Sequence, residues 1–276
     1  MIENAYGKIN ISLNITGIRE DGYHLLDMIM VPIDLYDILE IDIAEKTTFT
    51  SNTPFGWDKG NLIYKAVEGM KKQFNIKDEF NIRLEKHIPA QAGLAGGSAD
   101  AGAAIRILNR LCNLNLTDQQ LIDFGVKIGA DVPYCIFNKP SRIKGIGEQL
   151  EFFEMKKEYD VILVKPDQGI STVEAYKLSD KIGGEHPDID KVVEAFINGT
   201  EIPLGNTLEK SAIALLPVIQ EIKNDFISYG YDHPLMTGSG STVFHLVDRN
   251  EDTDYLVSEM KKKYNFVVKI SVNNRQ

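Results

Sequence analysis

Cysteine, tryptophan and long apolar runs are all scarce in this chain. Cys112 and Cys135 are the only cysteines among 276 residues, both with apolar neighbours and neither in a Cys-x-x-Cys spacing. Zinc ribbons and disulfide frameworks are therefore not expected, and a reducing compartment is the natural reading. No uninterrupted apolar stretch approaches the roughly 20 residues that a membrane helix requires. The opening Met1-Ile2-Glu3-Asn4-Ala5 lacks a basic segment ahead of an apolar one, so no secretory leader is expected. A cytoplasmic chain with no membrane partner follows. Excess positive charge is lacking too: 40 acidic against 30 basic residues leave a net charge of −10. That balance weighs against nucleic acid as a partner and against an RNA-binding role. Phosphate ligands stay open, because backbone N–H groups build a local positive site on an acidic protein.

What is present suits a globular enzyme. The length allows one large or two ordinary domains, and a core that needs no staple. A charged stretch without clear period, Glu151 to Tyr159, places a boundary that divides the chain into 1–154 and 155–276. Lys8 to Ile15 alternates strictly, which predicts a half-buried strand with Ile9, Ile11 and Leu13 on one face and Lys8, Asn10 and Ser12 on the other. Helical spacing predicts a helix from Asn61 to Phe74, and Phe80, Ile82 and Leu84 alternate as a strand. An Ala/Ile/Leu-rich helix is expected to run to about Cys112, and Thr117 with Gln120 forms a capping box. Helices are expected again at 188–198, 211–228 and 253–263, and strands at 161–164, 243–247 and 266–270. Segregated strands and helices point to an α+β fold.

Between one strand and one helix lies Pro89-Ala90-Gln91-Ala92-Gly93-Leu94-Ala95-Gly96-Gly97-Ser98. Successive backbone N–H groups without bulky side chains, leading into a helix N-terminus, suit a polyphosphate. The loop lacks the Gly-Lys-Ser/Thr ending of a Walker A motif and the GxGxxG spacing of a dinucleotide site. A tight connection remains the alternative on spacing alone. Two more glycine clusters, Gly145-Ile146-Gly147-Glu148 and Thr237-Gly238-Ser239-Gly240, read singly as turns.

Taken in order, the Lys-Ile-Asn strand, the Gly-Leu-x-Gly-Gly-Ser-x-Asp-Ala loop and the Thr-Gly-Ser-Gly turn resemble the GHMP kinases. Four further segments narrow the resemblance within that family: Asp21-Gly22-Tyr23-His24, Gly129-Ala130-Asp131-Val132-Pro133, Gly145-x-Gly147-Glu148, and Lys165-Pro166-Asp167-Gln168-Gly169-Ile170-Ser171-Thr172. They are similar to the branch that phosphorylates a cytidine diphosphate-linked polyol, 4-diphosphocytidyl-2-C-methyl-D-erythritol, on the way to isoprenoid precursors.

The resemblance implies a two-domain fold, with an N-terminal domain like domain 2 of ribosomal protein S5 and a ferredoxin-like C-terminal domain. It implies ATP and Mg²⁺ as cofactors and a substrate held in the cleft between domains, in a monomer or homodimer. Asp131 then matches the catalytic carboxylate, and Lys8 its cationic companion, able to stabilise charge on the attacking oxygen. Pro89, Gln91, Ala92, Gly93, Leu94, Ala95, Gly96, Gly97 and Ser98 match the ATP-phosphate loop, with Ser98 the candidate metal ligand. Asn10, Tyr23, His24, Tyr176, Gly238 and Ser239 match substrate-binding positions, Tyr23 and Tyr176 as stacking faces for cytosine. Departures are Tyr6-Gly7 where the family carries Pro-Ala, and Gln91, Ala95 and Ala99 within the loop. Alternatives are a GHMP kinase with a homoserine- or mevalonate-type acceptor, and a non-catalytic nucleotide-binding relative. Asp-Gly-Tyr-His discriminates against the first, and joint retention of Lys8, Asp131 and Ser98 against the second.

Overall fold

A computed structural model describes residues 1–273. Its first half is built on an antiparallel ribbon of two long strands, β1 (Ile2–Ile18) and β2 (His24–Ala44). They pair from Ile2↔Glu40 to Ile18↔His24. The chain continues through β3 (Thr48–Ser51), α1 (Leu62–Gln73), β4 (Glu79–Glu85), α2 (Gly96–Leu111), α3 (Asp118–Ile128), α4 (Val132–Phe137), β5 (Ser141–Gly145) and β6 (Gln149–Phe152). Asn61 caps α1 by accepting from Ile63 N, and Thr117 and Gln120 close the expected capping box on α3. The second half runs β7 (Tyr159–Lys165), α5 (Thr172–Ile182), α6 (Ile189–Asn198), β8 (Gly205–Asn206), α7 (Glu209–Leu215), α8 (Val218–Ser228), β9 (Leu235–Met236), β10 (Val243–Asp248), α9 (Asp254–Lys261) and β11 (Phe266–Ser271).

Two sheets result, the first mixed and the second antiparallel throughout, and the fold is α+β as expected. The first has seven strands along the path β3-β4-β2-β1-β8, with β5 and β6 added beside β2. The second has the order β11-β7-β10-β9. Every strand of the second sheet lies beyond residue 155. β8, however, crosses back to pair parallel with β1 through Ser12↔Gly205 and Leu13↔Asn206. α2 packs on β1 and β2, and α1 and α4 pack on α2. A Cβ on Gly102 would stand 2.8 Å from the Cys135 carbonyl, so glycine is what lets α2 and α4 approach this closely.

Three expectations need correction. β1 is not half-buried: Lys8, Asn10 and Ser12 are as deeply covered as Ile9 and Ile11. The cover comes from the other half of the chain, where Thr237 Oγ1 accepts from Asn10 N and Gly205 O accepts from Ser12 Oγ. The expected helix over 211–228 is two helices, because Pro217 forces Leu216 out of the helical region to φ −141°, ψ 86°. Finally, β3, α4, β5, β6, α5, β8 and β9 occupy stretches where no element was expected.

Candidate active site

One cleft of about 740 Å³ gathers Lys8 and Asn10 from β1, residues 89–98 of the loop, Asp131, Tyr176, Gly238 and Ser239. The loop leaves β4 and enters α2 through backbone that is left-handed at Gln91 (φ 51°), Gly93 (φ 73°) and Ala95 (φ 56°). Ala95 is the α2 N-cap and makes no side-chain cap bond. The N–H groups at the start of α2 therefore face the cleft without an internal acceptor, which is the arrangement that receives phosphate oxygens. Ser98, partly buried, stands in that first turn and lines the cleft.

The late glycine turn closes over the loop. A Cβ on Gly93 would meet Thr237 O at 2.2 Å, and one on Gly238 would meet Gly93 O at 3.1 Å and Lys8 Nζ at 3.3 Å. Lys8 occupies the seam. Its backbone N–H donates to Leu94 O at 3.1 Å, and its Nζ donates to Gly93 O at 3.0 Å and Asn10 Oδ1 at 2.6 Å. Asn10 thus spends its carbonyl on aiming Lys8, while its Nδ2 lies 3.3 Å from Met28 Sδ. Tyr6 is anchored through its hydroxyl, which accepts from Asn4 Nδ2, and through its ring against Tyr36. Lys8 still reaches the loop with Tyr6-Gly7 ahead of it.

Asp131 stands at the N-terminus of α4, where aspartate usually caps. Its side chain makes no cap bond. Its Oδ2 instead lies 3.8 Å from Lys8 Nζ, with about a third of the side chain exposed. That separation exceeds a hydrogen bond, so both groups can turn to one substrate hydroxyl that bridges them from the cleft side. The Gly145–Glu148 turn backs this position: a Cβ on Gly147 would meet Ala130 O at 2.2 Å.

Tyr23 and His24 stand outside the cleft lining. Tyr23 is 60% exposed, with the Arg19 guanidinium 5.6 Å from its ring centroid. His24 adjoins the cleft through Tyr176, whose ring is 4.6 Å away. Tyr176 therefore faces the imidazole of His24, and burial pushes its phenol pKa up.

Several polar residues at the site escaped the sequence reading. Lys86, just ahead of the loop, bonds both Asp37 and Asp100 and lines the cleft. Asp37 also accepts from His87 N at 2.6 Å and Ile88 N at 2.8 Å. One cation cannot neutralise two buried carboxylates. Burial first, and Asp37 with it, push Asp100 above the ordinary carboxylate range, and its Oδ1 has no partner. Asn206 ties the late turn to β8 by donating to Met236 O and Gly238 O, each at 2.8 Å. Thr172, at the start of α5, shares a 2.8 Å hydroxyl contact with Ser239. Thr172 lay inside a segment singled out in the sequence. Lys86, Asn206 and Asp37 carry no local signal beyond their polarity.

A glycine loop opening a helix, a facing Lys–Asp pair and a second glycine turn from another sheet define a GHMP-type small-molecule kinase. Family models described as "GHMP kinases N terminal domain" and "GHMP kinases C terminal" match residues 61–139 and 192–265. The chain is 41% identical to the 4-diphosphocytidyl-2-C-methyl-D-erythritol kinase of Clostridium tetani, over 95% of this chain and 96% of that protein. It is 41% identical to the Bacillus subtilis enzyme of the same name, over 90% and 88%. A crystal structure of 4-(cytidine 5'-diphospho)-2C-methyl-D-erythritol kinase superposes with a TM-score of 0.84 at 27% identity, covering 99% of both chains. A homoserine kinase from Cytophaga hutchinsonii shares the fold at a TM-score of 0.72 and 15% identity, covering 98% of this chain and 95% of that one. The chain belongs to the 4-diphosphocytidyl-2-C-methyl-D-erythritol kinase family of GHMP kinases.

Proposed function

We propose that this chain transfers the γ-phosphoryl group of ATP to the 2-hydroxyl of 4-diphosphocytidyl-2-C-methyl-D-erythritol, the compound that the names of its kinase relatives carry. The observation that carries the reading is the 3.8 Å Lys8–Asp131 pair set in the same cleft as the phosphate loop. Asp131 receives the proton of the substrate hydroxyl as its oxygen attacks the γ-phosphorus. The bond from that phosphorus to the β,γ-bridging oxygen breaks, and ADP leaves. Lys8, fixed by Gly93 O and Asn10 Oδ1, offers its charge to the attacking oxygen. The N–H groups of Gly96, Gly97 and Ser98 hold the phosphates in line.

Among the described residues, no three His, Cys, Asp or Glu side chains cluster to hold a metal. The oxygen donor at hand, the Ser98 hydroxyl beside the phosphate loop, fits Mg²⁺ brought in on nucleotide phosphates rather than a resident ion. When bound, Mg²⁺ supplies neutralisation of phosphate charge. Tyr23, His24 and Tyr176 are proposed to receive the cytidine end. No helix among the described residues is long and apolar enough to cross a membrane.

The test is ADP release with Mg-ATP and the cytidyl substrate, run beside mevalonate and homoserine. Release with the cytidyl compound alone is expected. Release with mevalonate or homoserine instead would keep the kinase and discard the cytidine site.

A further inference from the structure

The His24 imidazole is gripped from α5 by two residues one helical turn apart. Tyr176 packs its ring on the imidazole at 4.6 Å and an interplanar angle of 41°. Asp180, four residues on and so on the same helical face, lies with Oδ1 2.7 Å from His24 Nε2. His24 Nδ1 has no hydrogen-bond partner among the described residues, and Asp180 bonds nothing else there. A carboxylate at one ring nitrogen keeps the proton on that nitrogen, so in the neutral ring the other becomes an acceptor. His24 itself is largely covered, at 15% side-chain exposure, so its ring has little freedom to turn.

We propose that Asp180 is a positioning residue for base recognition: it holds His24 in the Nε2–H tautomer and turns Nδ1 toward the pyrimidine of the substrate. The inference rests on the reading that a cytidine diphosphate conjugate binds with its base at His24. Its chemistry is selective. Cytosine carries a 4-amino donor that a ring lone pair accepts, whereas uracil carries a carbonyl oxygen there that the lone pair repels. The same α5 face starts at Thr172, in contact with Ser239 of the late turn. One helix thereby links the phosphate end of the cleft to the base end.

The experiment compares wild type, Asp180→Ala, Asp180→Asn and His24→Ala in steady-state kinetics with the cytidyl substrate and its uridine counterpart. Ring ¹⁵N spectra of His24 report the tautomer. Asp180→Ala is expected to raise KM for the cytidyl substrate about tenfold, as loss of one well-placed hydrogen bond does. KM for ATP should hold, the cytidyl-over-uridyl preference should narrow, and the His24 spectrum should move to mixed tautomers. Asp180→Asn, which keeps an acceptor oxygen, should fall between. If His24→Ala raises KM while Asp180→Ala leaves both KM and the ¹⁵N pattern at wild type, the positioning role is wrong and the base site stands. If His24→Ala leaves KM unchanged, the base does not bind there, and both readings fall. A lowered thermal midpoint in Asp180→Ala with unaltered KM would make Asp180 structural only, which also overturns the proposal.

Discussion

Ala95 and Gln91 hold backbone angles that glycine adopts freely and that other residues take at a cost. Both lie in the glycine-rich loop that leads into α2. The left-handed geometry is kept and the Cβ is tolerated. Ala95→Gly is therefore expected to stabilise the fold by about 0.5–1 kcal/mol, after allowing for the added freedom of the unfolded chain. Urea unfolding measures it, and a loss of stability would show that Ala95 is not strained. At this scale the sequence was legible where chemistry and chain position coincide. Lys8, Asp131 and the 89–98 loop announce themselves by motif. Lys86, Asp37 and Asp180 act through partners 14 to 156 residues away, and a lone charge has no local pattern to betray that.

Among the elements, α5 was unread for a physical reason. Ala175 and Ser179 are its only buried residues, so its apolar period is too thin to register. Yet it carries Thr172 and Tyr176 to the cleft and Asp180 to His24 beside it. β1 was read as half-exposed because its polar face alternates cleanly, and nothing local reveals that the late turn covers it. Strand β10 supplies an element-level prediction. Burial pushes its His245 imidazole down to about 4, with His233 adding to the effect and Asp232 opposing it. Phe226 and Tyr231 pack on the ring, and its Nδ1 is unpartnered. The native state binds fewer protons here than the unfolded chain, whose histidine titrates near 6.5. The contribution of His245 to stability is thus in place above pH 6.5 and is lost as pH falls toward 4. His245→Leu should flatten that acid limb. Urea midpoints at pH 7.5 and 4.5 that fall in parallel for both proteins would contradict it.

For the whole molecule, the two sheets meet where the site lies. Gly93 from the first half packs against Thr237 O from the second, and Asn206 anchors that turn to the strand that crosses back to β1. We propose residues 1–154 and 155–276 as two units that share this seam. Gly93→Ala places a methyl 2.2 Å from a carbonyl oxygen at φ +73°, so the seam must open. A destabilisation of roughly 2–4 kcal/mol and a weakened affinity for ATP are expected together. Calorimetry with and without nucleotide checks both, and wild-type ATP affinity in this variant would break the link between seam and phosphate loop. The α+β class and the order of motifs were legible at this scale. The interlocking was not, because it depends on contacts between residues more than a hundred positions apart.

The central claim is that Asp131 takes the proton of the substrate hydroxyl within 4 Å of Lys8. Asp131→Asn preserves shape and removes the base, so single-turnover phosphoryl transfer is the direct test, with ATP and cytidyl-substrate binding measured on the same protein. Affinities near wild type, with the transfer rate down by about 10²–10⁴-fold, are predicted. A transfer rate equal to wild type would place the chemistry on another residue.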